Sequence, residues 1–240
     1  MPKISIVIPT LKEEGYIEGT VRQFEHLSIP HEVIVSDGGS PDRTVELATP
    51  LADKITVMKE GRPTPAKQRN DGAKLATGAF LAFVDSSVRV PDIEHFFERA
   101  LEKFAKDRYH AAVCGPQTIF PEIETELDKL FLGVQNNLIR FQNNFLHRGA
   151  STGKFMFMRR AAFQYIHGFN EKLVAGEDLN LYLRLSQAGK TRYCVDLAIL
   201  YPGRREHGLG WPRLLWIWTT NVLWIWLFGH TWIKEWKPVR

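Results

Sequence analysis

Cysteine is scarce: Cys114 and Cys194 are the only two among 240 residues. Each sits in an apolar run, so they read as buried thiols in a reducing compartment, not as a disulfide framework. The N-terminal stretch M-P-K-I-S-I-V-I-P lacks a basic region followed by a longer apolar segment. No secretory signal is therefore expected. No internal repeat or low-complexity tract occurs, which excludes a repeat architecture. Excess charge is missing from residues 1–200, which hold 25 basic and 25 acidic side chains. Nucleic-acid binding usually needs a basic face on the folded body, and this body is neutral. Tryptophan is missing from the same stretch, since all seven lie between Trp211 and Trp236.

What is present is a globular core. Hydrophobic residues make up 44% of the chain, enough for one domain plus an appendage. Apolar runs at 3–8, 32–37, 55–58, 80–84, 111–114, 154–158 and 193–200 read as strands. Helical spacing appears over 13–27, 66–76, 92–105, 122–145 and 177–188. In 122–145 the apolar stripe is Leu127, Leu130, Phe131, Val134, Leu138 and Phe141. Alternating strands and helices predict a doubly wound α/β sheet, mostly parallel and flanked by helices.

The stretch Phe80–Ser87, F-L-A-F-V-D-S-S, organises the rest. Its run is apolar on both pleat faces, as in a buried parallel strand. Ligands of such sheets bind beyond the carboxyl ends of the strands, where Asp85 stands. Asp85 either caps the turn or meets a ribose or a metal-bound diphosphate. Pro9-Thr10 ends the first strand and Asp37-Gly38-Gly39-Ser40 the second. In a parallel sheet these three ends share one edge. Asp37 can accept from a nucleobase imide N–H, and the glycines let backbone approach a ligand. Lys67 and Arg69 precede an otherwise apolar helix near that edge, and a guanidinium forks onto diphosphate oxygens. Gly176-Glu177-Asp178 opens a later helix. Its acids either answer the helix dipole or form a carboxylate pair with a raised pKa, suited to a general base.

Taken together, S-I-V-I-P-T…E-E, V-I-V-S-D-G-G-S-P-D-R-T, R-N-D-G-A-K-L-A-T-G, F-V-D-S-S and G-F-N…G-E-D-L-N-L-Y-L-R-L resemble glycosyltransferase family 2 over about residues 3–200. The resemblance implies the GT-A fold and transfer from a nucleotide-sugar with inversion at the anomeric carbon. It assigns Pro9, Thr10 and Glu13 or Glu14 to the loop near the nucleoside and Asp37 to the base. Arg69 matches the arginine near the nucleotide, and Gly38, Gly39 and Lys67 join that site. Asp85, followed by Ser86 and Ser87, matches the first acid of a D-x-D motif, and Asp178 beside Glu177 matches the catalytic base. Ser87 stands where a second acid is usual. A Mg²⁺ or Mn²⁺ ion held by Asp85 would then need the Ser87 hydroxyl, the diphosphate or His207 to complete its shell.

The chain accordingly divides into a GT-A domain, 1–203, and a basic, Trp-rich helical tail, 204–240. The tail carries six basic and two acidic side chains, the whole net charge of +4. Leu214–Ile233 holds no charged residue. Aromatics with basic flanks fit a membrane interface, over 211–233, at the cytoplasmic face of the plasma membrane. A helix packed on the body or on a second copy, and a true span, stay open. Arg204 and Arg205 are expected at an acceptor phosphate or in a solvated turn. The acceptor is then a lipid-linked or glycan hydroxyl or phosphate. Two other readings are a nucleotide-sugar-binding scaffold that has lost catalysis, favoured by Ser87, and a sugar nucleotidyltransferase. The latter lacks its glycine-rich phosphate loop, since P-T-L-K-E-E stands there.

Overall fold

Every residue from Ile4 to Thr10 is buried, because the strand they form is covered on both faces. The computed structural model describes residues 3–228 and 231–232. The ends of the tail, at 229–230 and 233–240, lie outside the described residues, as do residues 1–2. In order come β1 (Ile4–Thr10), α1 (Ile17–Arg22), β2 (His31–Asp37), α2 (Thr44–Ala48), β3 (Lys54–Val57), α3 (Pro65–Lys74) and β4 (Phe80–Val84). Then come α4 (Ile93–Lys106), β5 (His110–Cys114), β6 (Gln117–Ile119), α5 (Glu126–Asn144), β7 (Phe155–Arg159), α6 (Arg160–Tyr165) and α7 (Glu177–Ala188). β8 (Lys190–Tyr193), β9 (Ile199–Tyr201), α8 (Arg204–Leu209) and α9 (Trp211–Phe228) follow.

Seven strands form one sheet in the order β3-β2-β1-β4-β7-β5-β8. β1 to β4 run parallel, and β7 is antiparallel to both β4 and β5. The mixed, mostly parallel sheet is the expected one. Apolar clusters cover both faces, one around Phe24, Phe97 and Phe157, the other around Phe83, Phe163 and Tyr182. Each fully buried large side chain stabilises the fold by about 1.5–3 kcal/mol. Cys114 and Cys194 are buried free thiols.

Two expectations change. The single strand expected over 193–200 is two, β8 and β9, and β9 pairs with the unforeseen β6 in a small second sheet. Of the apolar stripe of α5, Phe131 packs on the core and stacks on Trp211, but the other five residues face outward. Leu127, Leu130, Val134, Leu138 and Phe141 are exposed, whereas Asp128, Leu132, Ile139 and Asn143 are buried. Hydrogen bonds explain the inversion. Asp128 closes a capping box with Thr125, and Asn143 donates to Ile139 and Ala150 carbonyls. Bonded polar groups are buried at little cost, so polarity alone misleads about the facing side. The tail packs on the body, one of the readings left open, through α8 and through Trp211, Leu214 and Asn221 of α9, all buried. Among the described residues no helix is long and apolar enough to cross a membrane.

Candidate functional site

β1, β2 and β4 all end at one sheet edge, and a cleft of about 480 Å³ opens there. Its lining includes Pro9, Thr10 and Glu13 from β1 and its loop, Asp85, Ser86 and Ser87 after β4, and Glu177 and Asp178 from α7. Arg204 and Arg205 of α8 line the same hollow.

Arg69 stands at the centre. Thr64 caps α3 by accepting from the Lys67 N–H, and Pro65 sits in its first turn, which fixes the helix phase. That phase buries Gln68 and Arg69. The Arg69 guanidinium is 3% exposed. It donates to Glu177 Oε1 at 2.7 Å, Asp85 Oδ1 at 2.9 Å and the Gly153 carbonyl at 3.0 Å. It also lies 5.5 Å from the centroid of the Phe169 ring. Burial lowers its proton affinity, but the charges of Asp85, Glu177 and Asp178 outweigh this and raise it. Arg69 thus holds the acids in place instead of offering both forks to a diphosphate.

Gly176 caps α7 at φ +77°, a left-handed geometry that suits glycine. The turn aims the first two helical residues, Glu177 and Asp178, at the cleft. Burial pushes the Asp178 carboxyl up to about 7, and the charge of Glu177 adds to the rise. Burial also raises Glu13, against the pull of Arg204, whose guanidinium contacts both its oxygens at 2.9 and 3.0 Å. Arg204 stacks over Tyr16 as well. Lys154, unnoticed in the sequence, lines the cleft 3.9 Å from Asp85 Oδ2 and 4.7 Å from the centroid of the Tyr201 ring. Its signal was position: it directly precedes the buried run of β7.

Other expected residues sit elsewhere. Lys67 is not in the lining. It points along α3 to Asp71 at 2.9 Å, and Gln68 takes the inward place, donating to the Thr10 carbonyl. Asp37 is fully buried behind Thr10. It accepts from Thr10 Oγ1 at 2.8 Å, from the N–H groups of Gly39 and Ser40, and from Ser40 Oγ. Its four protein donors leave it shaping the β1 and β2 ends, and Gly38 and Gly39 also lie outside the lining. Glu14 is exposed beside the cleft and accepts from the Arg43 N–H at 3.1 Å. His207 is not in the lining either: its Nε2 lies 2.9 Å from Asp128 Oδ2, which fastens α8 to α5.

The donor set fits one hard divalent cation. Among the described residues the nearest cation to Asp85 Oδ2 is Lys154 at 3.9 Å, beyond hydrogen-bond distance, and Ser87 lines the cleft two residues on. Among the described residues no three His, Cys, Asp or Glu side chains form a closed metal cage. One carboxylate plus substrate phosphates is how Mg²⁺ is commonly held.

The succinoglycan biosynthesis protein ExoA of Rhizobium meliloti is 27% identical over 219 residues, 86% of this chain and 65% of its own. The O-antigen chain rhamnosyltransferase WbaN of Salmonella anatum is 26% identical over 218 residues, 83% of this chain and 66% of its own. This chain therefore spans about two thirds of the length of these curated relatives. In structure it is similar to a mannosyltransferase from Pyrobaculum calidifontis, in complex with GDP-Man and Mn²⁺. The TM-score is 0.70 at 19% identity, over 86% of this chain and 59% of that one. That likeness shows the GT-A fold. The sequence model of glycosyl transferase family 2 matches residues 5–166, from β1 through α6, and this chain belongs to that family.

Proposed function

We propose that this chain is an inverting glycosyltransferase that moves a sugar from a UDP- or GDP-sugar to an acceptor hydroxyl. One observation carries the reading: Asp85, Glu177 and Asp178 gather around the buried Arg69 in one cleft. The nucleoside lies against Pro9, Thr10 and Gln68, and the diphosphate near Asp85, Ser86 and Ser87. Asp178 takes the proton of the acceptor hydroxyl. The oxygen bonds the anomeric carbon from the face opposite the diphosphate, and the bond to the diphosphate breaks. Lys154 and Arg205 offset the charge growing on the leaving group. Asp85 and Ser87 would hold Mg²⁺ or Mn²⁺, which supplies further charge neutralisation there. A carboxyl pushed to about 7 suits removal of a hydroxyl proton near neutral pH. A phosphate acceptor needs no such base.

The acceptor is a lipid-linked glycan at the cytoplasmic membrane face. Trp216, Leu223, Trp224, Leu227 and Phe228 of α9 are exposed, as is the apolar stripe of α5. Exposed apolar area of this extent marks an interaction surface, and aromatic residues with basic flanks suit the lipid headgroup level. The relatives named for O-antigen and succinoglycan support a role in surface glycans. Buried free cysteines suit a reducing compartment.

Thermal-shift screening against UDP- and GDP-sugars with and without Mn²⁺ tests the donor side. A melting temperature raised by one nucleotide class, with free diphosphonucleoside released on incubation, supports the proposal. Neither class shifting the melting temperature would reject it.

A further inference from the structure

Two residues of the cleft lining each hold a buried oxygen with no partner among the described residues, Glu206 Oε2 and Asn221 Oδ1. Both residues are 4% exposed, both line the cleft, and both lie beyond the segment matched by the family model. An unmet buried acceptor costs the full desolvation of that group, so an empty role here is unfavourable. Their orientations are fixed by what their other atoms do. The Ala175 carbonyl accepts from Asn221 Nδ2 at 3.3 Å, so the amide nitrogen must face Ala175 and the oxygen must face away. Tyr201 donates to Glu206 Oε1 at 3.0 Å, which leaves Oε2.

Local backbone explains how they arrive there. Gly203 turns the chain at φ +60°, and a Cβ there would come within 2.4 Å of Ile119 Cδ1. α8 therefore starts hard against β6 and brings Arg204, Arg205 and Glu206 to the cleft. α9 then lies across the start of α7. A Cβ on Gly176 would be 3.7 Å from Asn221 Nδ2, two residues before Asp178. Asn221 thus packs on the turn that carries the base, in the wall that α9 contributes to the cleft.

We infer that α8 and α9 form the acceptor subsite, and that Glu206 Oε2 and Asn221 Oδ1 accept hydrogen bonds from hydroxyls of a carbohydrate acceptor. Their neighbours match that chemistry. Gln135 and Gln142 line the same cleft with amides, while Leu138, Trp218 and Val222 offer apolar surface for a sugar ring's C–H face. A carboxylate oxygen in this wall disfavours a bare phosphate at the same spot. The inference rests on reading the cleft as the transfer site.

The test uses methyl glycosides of glucose, galactose, mannose, rhamnose and N-acetylglucosamine as probes, read by saturation-transfer NMR on the full chain. Asn221→Leu and Glu206→Met keep side-chain length and remove the oxygens. The wild type is expected to bind at least one glycoside, and each variant to bind it about tenfold more weakly, the loss of about one hydrogen bond. The melting shift caused by UDP or GDP should stay unchanged. Asn221→Leu also removes the donor to the Ala175 carbonyl, so a modest fall in its melting temperature is expected, and the unchanged nucleotide shift shows that the cleft stays formed. Equal glycoside binding in wild type and whichever variant folds would overturn the subsite. So would no glycoside binding to wild type, or wild-type binding of farnesyl phosphate alone. Nucleotides failing to shift the wild type would reject the transferase reading instead, with the glycoside result still judging this wall.

Discussion

Arg69 and Glu177 lie 108 positions apart in the chain and 2.7 Å apart in space, both buried. The pair fastens the start of α7 to α3 and so sets where Asp178 stands. Removing one partner of a buried ion pair costs about 3–5 kcal/mol, because the other charge stays buried and unmet. Arg69→Ala should lose about that much stability in urea unfolding and lose transfer. Arg69→Lys should regain part of the stability but not the transfer, since an ammonium cannot fork to Asp85 and Glu177 in the same geometry. Full transfer in Arg69→Lys would contradict this placement.

Asp178 carries two pH signatures. As the base it must be ionised, so kcat should climb about tenfold per pH unit below 7 and level off above it. For stability the sign is opposite. A carboxyl raised in the fold binds its proton more tightly there than in the unfolded chain. The cost of ionising it is absent below about pH 4, builds through the interval and is complete above 7. Asp178→Asn should therefore melt above wild type at pH 8, with the gap closing toward pH 4. A gap independent of pH would argue against the raised carboxyl.

Metal dependence separates Asp85 from His207. Chelation should lower transfer in the wild type, and Mn²⁺ or Mg²⁺ should restore it. Asp85→Asn should abolish that response. His207→Ala should keep it while losing on the order of 1 kcal/mol of stability, because Asp128 loses a hydrogen-bond partner. A metal response lost with His207 would return it to the site.

The exposed side of α9 makes a separate claim. Replacing Trp216, Trp224 and Leu227 together by Ser should lower flotation with phosphatidylglycerol liposomes at least about tenfold. Donor binding should be untouched, because none of the three lines the cleft. Undiminished flotation would remove the lipid-surface role.

Much of this was legible in the linear pattern. β4 and α7 fall on the expected residues, because a run apolar on both faces and a Gly-Glu-Asp helix start are local signals. Pro9, Thr10 and Asp85 were expected at one edge and line one cleft, which Asp178 enters from α7. What escaped depends on partners far along the chain. Asp37 reads as an open acid, but Thr10 and Ser40 consume it. Lys67 and Gln68 differ by one step of helix phase, which Thr64 sets through its cap. The stripe on α5 is a sound amphipathic signal, yet Asp128 and Asn143 turn the helix over by finding Trp211, His207 and Ala150. Glu206 and Asn221 carried no motif, and only the one buried, unpartnered oxygen on each marks them.

The most direct measurement pairs donor binding with turnover in Asp178→Asn near neutral pH. If this carboxyl is the proton acceptor for the attacking hydroxyl, a UDP- or GDP-sugar will raise the variant's melting temperature as much as the wild type's, while sugar transfer falls by about 10²–10⁴-fold. Transfer continuing at the wild-type rate in that variant would contradict the account.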